Sequence, residues 1–451
     1  MTNRLPALAA APRRIVVLRG RTPGRLQLGH PWVFRNEIAR VDGVERPTNL
    51  DPGAAAGRPQ PAVAEVRDAA GRFVGRGVWS PVSAIAVRLF TRRPGEALDD
   101  ALVAARTRAA LALRQPLLAG ADPAASSCRL IFAEGDGLPG LIVDKFGRAL
   151  VFQSLALAAE TCRDTVLKVL SDNLAPQYVV ERNDVSVRTL EGLPEHKGMW
   201  PEGTSPPPSG HVTIVEGGAR MTVDVLEGQK TGYYLDQRDN RAAVRRLAAA
   251  LVAAQPAGAA ATATGGRLGI DVLDCFAYSG GFAVAAAMGA NGHLGRLVCV
   301  DASGEALALA AENLELNGYG GRAEMIAGNA FDELRRMDRE RSAGQFDLII
   351  LDPPPFARER RMVESALRGY KEINLRAMKL LRPNGYLVTC TCSHHLDRES
   401  FLATLTEAAA DADARMQVVE VRGQPPDHPV LLGYPEGDYL KCYVLRKAPR
   451  G

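Results

Sequence analysis

The segment 385–395 reads GYLVTCTCSHH, an apolar run that ends in two cysteines one residue apart and then two histidines. Four chemistries fit such a cluster: inert packing, metal ligation, redox exchange and covalent catalysis. Alternation along a strand puts Cys390 and Cys392 on the same face. A C-x-C-x-H-H zinc site needs a closed ligand set, and no second Cys/His cluster in the chain completes one, so no metal is expected. The redox spacing C-x-x-C is absent. Packing and catalysis stay open from these residues alone, and His394 and His395 take no assigned role.

The rest of the chain has to decide where this strand ends. At 451 residues it is too long for one core, so two or three domains are expected. No apolar run reaches the roughly 18 residues that span a bilayer. The start, MTNRLPALAAAPRR, is too weakly apolar for a signal peptide, which predicts a cytoplasmic protein with no membrane partner. Seven scattered cysteines do not form a disulfide framework. The net charge of +4 hides an asymmetry: residues 1–95 hold sixteen arginines, no lysine and six acids. A basic module on a mildly acidic body predicts a polyanionic partner, although Arg-rich composition alone would give the same charge.

Short alternating runs, RRIVVL, AVAEVRD, RFVGRGVW and SAIAVRLF, predict a small barrel-like β domain over residues 1–95. Residues 96–210 read as a central α+β domain, beginning with a helix over 96–118. Its segment CRLIFAEGDGLPGLIVDKFGRALVFQSL reads as a hairpin, followed by a helix at 158–173 and a strand at 177–181. The Pro/Ser/Gly stretch 200–211 and the Ala-rich stretch 248–266 read as loop or linker. From 211 to 451 the pattern becomes doubly wound α/β: RLGIDVLDCF, RLVCVD, AEMIAG, FDLIILD and GYLVTCTC alternate with helices, and two last strands make an antiparallel end. Ser303 is placed to cap one helix, and Asn317-Gly318 to stop it.

In such folds ligands bind beyond the carboxyl ends of the strands. Four strand ends here carry chemistry: DCFAYSGGF, Asp301, GNAFDEL and LDPPPF. A dinucleotide enzyme would need G-x-G-x-x-G at the first turn, which is missing. In this order the four ends resemble the class I S-adenosylmethionine-dependent methyltransferases. That resemblance implies S-adenosyl-L-methionine as cofactor. It places the loop with Asp274, Phe276, Tyr278, Ser279 and Gly280 under the methionine part, Asp301 on the ribose, and Asn329-Ala330 against the adenine. Many relatives carry Asp where this chain has Asn329, which still accepts and donates at an adenine edge. Asp352 is counted with both the cofactor and the catalytic residues.

DPPPF at 352–356 resembles the motif of amino-group methyltransferases, in which the acid accepts from an exocyclic N–H and the aromatic stacks on a base. That implies substrate contacts from Pro353, Pro354 and Phe356, and an alternative activity at adenine N6 or guanine N2. The thiol strand points to another atom. Cytosine C5 is a poor nucleophile until a thiolate adds at C6, and Cys392, nearer the strand end, is the candidate for that addition, with Cys390 packed beneath.

Taken along its whole length the chain resembles the large-subunit rRNA cytosine-C5 methyltransferases that carry an N-terminal PUA domain. The motifs are GHPWVFRNEI at 29–38, IFAEGDGLPGLIVDKFG at 131–147, GQKTGYYLDQRDNR at 228–241, DPPPF, TCS at 391–393 and DHPVLLGYPEGDYLK at 427–441. The resemblance maps the family's nucleophile onto Cys392 and its fourth-strand acid onto Asp352. Many RNA cytosine-C5 enzymes carry a second cysteine in the fourth-strand motif for product release; DPPPF has none, so release needs another base. RNA is then the implied partner of the basic domain. Arg13, Arg14, Arg35 and Arg76 are the candidate phosphate contacts, and Trp32 and Phe34 are read as core residues before base-stacking ones. The target base would be flipped into the cleft. A non-catalytic RNA-binding assembly factor is the remaining alternative, and the sequence leaves the oligomeric state open, a homodimer among the options.

Overall fold

Short β-branched runs build the N-terminal sheet of the computed structural model, which describes residues 8, 11–43, 60–119, 122, 124–255, 269–340, 344–357 and 360–449. Its strands are β1 (Arg13–Leu18), β2 (Trp32–Phe34), β3 (Ile38–Asp42), β4 (Ala62–Arg67), β5 (Phe73–Trp79) and β6 (Ile85–Thr91), in the order β2-β6-β5-β4-β1-β3. Val16, Leu18, Val33, Ala64, Val66 and Val87 fill its core. The four runs read from the sequence are β1, β4, β5 and β6. β2 and β3 are additional: their three and five residues are too short for periodicity to reveal.

The same compact unit, Met1–Val212 with Val223–Tyr233 and Pro426–Gly437, holds a second sheet. Helix α1 (Asp100–Leu118) starts where the Asp99 carboxylate accepts from the Leu102 amide at 3.0 Å. Then come β7 (Ser127–Phe132), β8 (Leu141–Phe146), β9 (Ala149–Ser154), α2 (Leu157–Leu174), β10 (Tyr178–Asn183) and β11 (His196–Met199), ordered β11-β10-β9-β8-β7. The hairpin predicted over 128–155 is thus two successive hairpins, because Gly147 at φ +57° turns β8 directly into β9. The late segment 426–437 is pinned into this unit. Arg114 donates to the Asp427 carbonyl at 2.7 Å, and the Arg129 amide donates to the Asp427 carboxylate at 2.9 Å.

The second unit comprises Thr213–Thr222, Tyr234–Pro425 and Asp438–Gly451. A hairpin, β12 (His211–Glu216) and β13 (Ala219–Asp224), and helix α3 (Arg238–Ala253) precede its sheet. The sheet elements are β14 (Ile270–Cys275), α4 (Gly281–Ala290), β15 (Leu294–Asp301), α5 (Gly304–Leu316), β16 (Ala323–Ala327), α6 (Ala330–Glu340), β17 (Phe346–Leu351), α7 (Val363–Leu380), β18 (Leu381–Thr391), α8 (Arg398–Asp411), β19 (Met416–Arg422) and β20 (Lys441–Lys447). Their order is β16-β15-β14-β17-β18-β20-β19. The first five strands are parallel and β20 runs antiparallel to both its neighbours, as the sequence predicts. Every residue of β14 is buried, and all but Asp347 of β17, which is why these strands read as continuous apolar runs. Ser303 caps α5 by accepting from the Ala306 amide at 3.1 Å, and Gly318 follows the helix at φ +82°. Among the described residues no helix is long and apolar enough to cross a membrane. Most of the Ala-rich stretch 248–266 lies outside the described residues.

Candidate active site

The strand order reverses between β14 and β17, so the crevice at this switch point opens above Cys275 and Leu351. Asp274 stands at its base. The residue is fully buried and its two carboxylate oxygens accept no hydrogen bond of good geometry. Burial first, then the Asp352 and Asp301 charges, push its pKa well above the usual carboxylate range; the nearby Ala283 amide offsets this only in part. The turn after β14 is strained. Phe276 at φ +64° and Tyr278 at φ +46° occupy left-handed backbone that costs a non-glycine residue of order 1 kcal/mol. Gly280, at φ +77°, has its α-hydrogen against α5: a Cβ there would lie 2.9 Å from the Ala310 Cβ. Ser279 is buried and its hydroxyl has no partner among the described residues. Asp301, at the end of β15, accepts from the Tyr278 amide at 2.8 Å and the Ser303 amide at 2.9 Å, which fixes the turn and the acid together. Asn329 caps α6, accepting from Phe331 N at 2.9 Å, and Ala330 is buried behind it.

A second group approaches from the 234–241 segment. Gln237 donates through Nε2 to the Asp352 carboxylate at 2.7 Å. Asn240 donates to Gln237 Oε1 at 2.6 Å, and Arg422 on β19 donates to Asn240 Oδ1 at 3.0 Å. This line of directed donors ends on one carboxylate oxygen of Asp352. Tyr234 packs edge-on to Tyr278 with ring centroids 5.4 Å apart, and burial with the Asp352 charge pushes its phenol pKa up, so it stays protonated.

The two thiols differ in burial. Cys390 is fully buried and opposite Cys442 in the β18–β20 register; that neighbour and burial push its pKa up, which leaves it inert. Cys392 lies one residue beyond β18, half-buried, with Sγ 3.9 Å from the Pro353 carbonyl. The strand end and the DPPPF loop therefore meet at the thiol. Ser393 is buried beneath it, its hydroxyl 3.0 Å from the Tyr370 hydroxyl, to which Thr391 Oγ1 donates at 2.8 Å. Pro353 is buried and Pro354 exposed. The Phe356 ring packs in an aromatic group with Tyr370 at 4.5 Å, Phe331 at 5.5 Å and Phe276 at 6.4 Å, so part of its surface is used within the chain. His394 and His395 are exposed. No group of three or more His, Cys, Asp or Glu side chains able to hold a metal occurs among the described residues.

The structure thus brings thirteen expected residues, from Asp274 to Cys392, to one sheet edge within one unit. The four arginines belong to the other unit. Arg13 is exposed and Arg14 half-buried; both line a cleft of about 810 Å³ with Asp42, Glu65 and Arg76. Arg35 is turned inward, donating to the Ser80 and Ser83 carbonyls at 2.7 Å beneath Trp79. Arg76 pairs with Glu65 at 2.9 Å and donates to the Glu96 and Pro94 carbonyls. Trp32 donates to Glu134 at 2.7 Å, and Arg25 covers Phe34, so both rings are held inside the unit. Tyr234, Gln237 and Asn240 lie within the 228–241 motif but have no role predicted from sequence; the run of polar residues after an aromatic pair is the one signal there.

The site fits the cofactor that the sequence resemblance implies. Three acids at the ends of β14, β15 and β17, one of them fully buried with only the Ala283 amide offsetting its charge in part, suit a ligand with net positive charge, and the Ser279 hydroxyl, without a partner among the described residues, is a second polar group in the same turn. Comparison with known proteins agrees. A profile for S-adenosylmethionine-dependent methyltransferases matches residues 194–436, and a PUA-like domain profile matches residues 16–92. The chain is 38% identical over 434 residues to a ribosomal RNA large subunit methyltransferase I from Erwinia tasmaniensis, covering 96% of this chain and 99% of that one. A protein of the same name from Escherichia coli O157:H7 is 37% identical over 434 residues, with the same coverage. A Streptococcus mutans chain, solved as a candidate SAM-dependent methyltransferase, superposes with a TM-score of 0.72 over 96% of this chain and 99% of that chain at 18% identity. A second solved chain, a candidate methyltransferase complexed with SAH, gives a TM-score of 0.73 at 18% identity over 96% of this chain and 100% of its own; these two speak to the fold. The chain therefore belongs to the S-adenosylmethionine-dependent methyltransferases and, among them, to the ribosomal RNA large subunit methyltransferase I family.

Proposed function

We propose that the chain methylates C5 of a cytosine in large-subunit ribosomal RNA through a covalent adduct at Cys392. The observation that carries this reading is the half-buried Cys392 thiol against the DPPPF loop, 3.9 Å from the Pro353 carbonyl. The relatives' name supplies the substrate class. S-adenosylmethionine, when bound, supplies an electrophilic methyl carbon on a sulfonium. Asp274 and the 276–280 turn would hold its methionine part, Asp301 its ribose, and Asn329 with Ala330 its adenine. The chain's own residues do the rest. The Cys392 thiolate forms a bond to C6 of the base, and the electron pair of the C5–C6 double bond becomes available at C5. Asp352, held by Gln237, accepts from the N4 amino group when ionised or, when protonated, gives its proton to N3, where the electron density of the addition collects. After methyl transfer a base removes the C5 proton, its electron pair re-forms the C5–C6 bond, and the sulfur leaves as thiolate. Cys390, buried and neutral, takes no part.

Residues 1–95 are the RNA-positioning domain in this reading, with Arg13 and Arg14 as the phosphate contacts. Arg35 and Arg76 support that surface from within through their carbonyl and carboxylate partners. The test is RNA containing 5-fluorocytosine at the target, which blocks proton loss from C5. A stable protein–RNA adduct is expected with the native chain and none with Cys392→Ala. Full methyl transfer by Cys392→Ala, with an N-methylated nucleoside as product, would instead establish amino-group chemistry at Asp352.

A further inference from the structure

Lys441 opens β20 directly opposite Thr391, the last residue of β18 before Cys392. It is 3% exposed. Its ammonium donates to the Tyr439 carbonyl at 3.2 Å and the Ser393 carbonyl at 3.5 Å, the second belonging to the residue after the thiol. An ammonium has three donors, and no carboxylate lies within 4 Å of this one among the described residues. The charged groups around it are Asp438, Asp397 and Arg398 besides Cys392. Both carboxylates are already engaged. Asp438 is held by Arg398 at 3.0 Å, and Asp397 caps α8, accepting from the Ser400 amide at 2.7 Å. A buried cation without a counter-ion is costly, and burial lowers its pKa. Tyr234 and Tyr370 also interact electrostatically with the thiol, and burial keeps both phenols protonated; Tyr234 feels the Asp352 carboxylate as well.

We propose that Lys441 is a positioning residue for Cys392, its ammonium serving as the counter-ion of the thiolate in the resting enzyme and again when the sulfur leaves C6. The inference rests on the covalent reading of Cys392, but it is tested on the thiol alone. The full-length chain is alkylated with iodoacetamide across pH 6–10, and the rate at Cys392 is followed by peptide mass spectrometry; the other six cysteines are buried and report separately. The rate tracks the thiolate fraction, whose midpoint for a free thiol is about 8.5. The native midpoint is expected below that value. Lys441→Met and Lys441→Gln are both expected to raise it by about one unit or more, making alkylation at neutral pH roughly tenfold slower, whereas Lys441→Arg keeps it low. The acid limb of the methyl-transfer pH profile moves up with it in the two neutral variants. A midpoint unchanged in either neutral variant overturns the proposal, and two variants of different polarity guard against one failing to fold. The covalent reading fails separately, if Cys392→Ala keeps full methyl transfer.

Discussion

Asp274→Asn separates what the cofactor site costs from what it does. Asp274 is fully buried, accepts no good hydrogen bond and faces Asp352 and Asp301, so its charged form is disfavoured in the folded chain. Its folded-state pKa is raised. The destabilisation is therefore absent below the unfolded value of about 4 and grows as pH rises toward the folded value. Linkage limits the effect, because keeping any such carboxyl neutral at pH 7 costs at most about 4 kcal/mol. A buried unsatisfied polar group costs about 1–3 kcal/mol. Taking about 2 kcal/mol, Asn should raise the Tm of the ligand-free chain at pH 7 by roughly 4–8 °C, at 2–4 °C per kcal/mol for a body of this size. The gain should shrink as pH falls toward 4. Affinity for S-adenosylmethionine should fall at least tenfold, since the substitution removes the carboxyl that a cationic ligand would draw into its ionised form. The assays are thermal denaturation at pH 5 and pH 7.5, and calorimetric titration with the methyl donor. A lower Tm at pH 7.5 together with unchanged affinity would refute the reasoning, because Asp274 would then be a supported structural acid.

Gln237→Leu removes a donor that orients Asp352 and leaves the Asn240 amide with only the longer bond to the Gly423 carbonyl; kcat/KM should drop by about 10–100-fold, equivalent to roughly 1.4–2.8 kcal/mol, while the affinity for the methyl donor stays within about twofold. Gly280→Ala forces a side chain into backbone at φ +77° and against Ala310, so denaturant titration should show a loss of about 1–3 kcal/mol. Arg13→Gln and Arg14→Gln should each weaken RNA binding and reduce the slope of log K against log salt by about one, with little change in Tm. Arg35→Gln should do the reverse, lowering Tm through the loss of its bonds to Ser80 and Ser83, because a guanidinium spent on carbonyls releases no counter-ion.

The strand ends were legible because their pattern is local. The largely apolar runs of β14, β15, β17 and β18 each carry a polar residue at or next to their last position, Asp274, Asp301, Asp352 and Thr391, and a doubly wound sheet leaves one place for those ends to gather. Cys390 and Cys392 could be told apart for the same reason: one lies within β18 and the other just beyond it. What was not legible is set by distance along the chain. The bonds that join Gln237 to Asp352 and Arg422 to Asn240 span 115 and 182 residues, and no periodicity encodes them. Lys441 lies opposite Thr391 only because β20 pairs antiparallel with β18. Composition also could not distinguish an arginine that faces solvent from one that ties down its own loop; Arg13 and Arg35 look alike as residues and differ only in their partners.

The segment 426–437 has a consequence for how this protein is made. Asp427 ties it to Arg114 and Arg129, and Tyr434 meets Trp32 edge-on at 5.0 Å, so the first unit is completed by residues near the far end of the chain. A ribosome must release nearly the whole polypeptide before Arg114, with 0% side-chain exposure in the finished protein, receives the Asp427 carbonyl. The N-terminal sheets emerge early and wait. The Asp136 partner of Arg114, at 2.6 Å in the finished protein, is synthesised early with the same sheets. A stop codon before residue 426 would leave out more than the last two strands: it would withhold the closing piece of a unit that was otherwise synthesised in full.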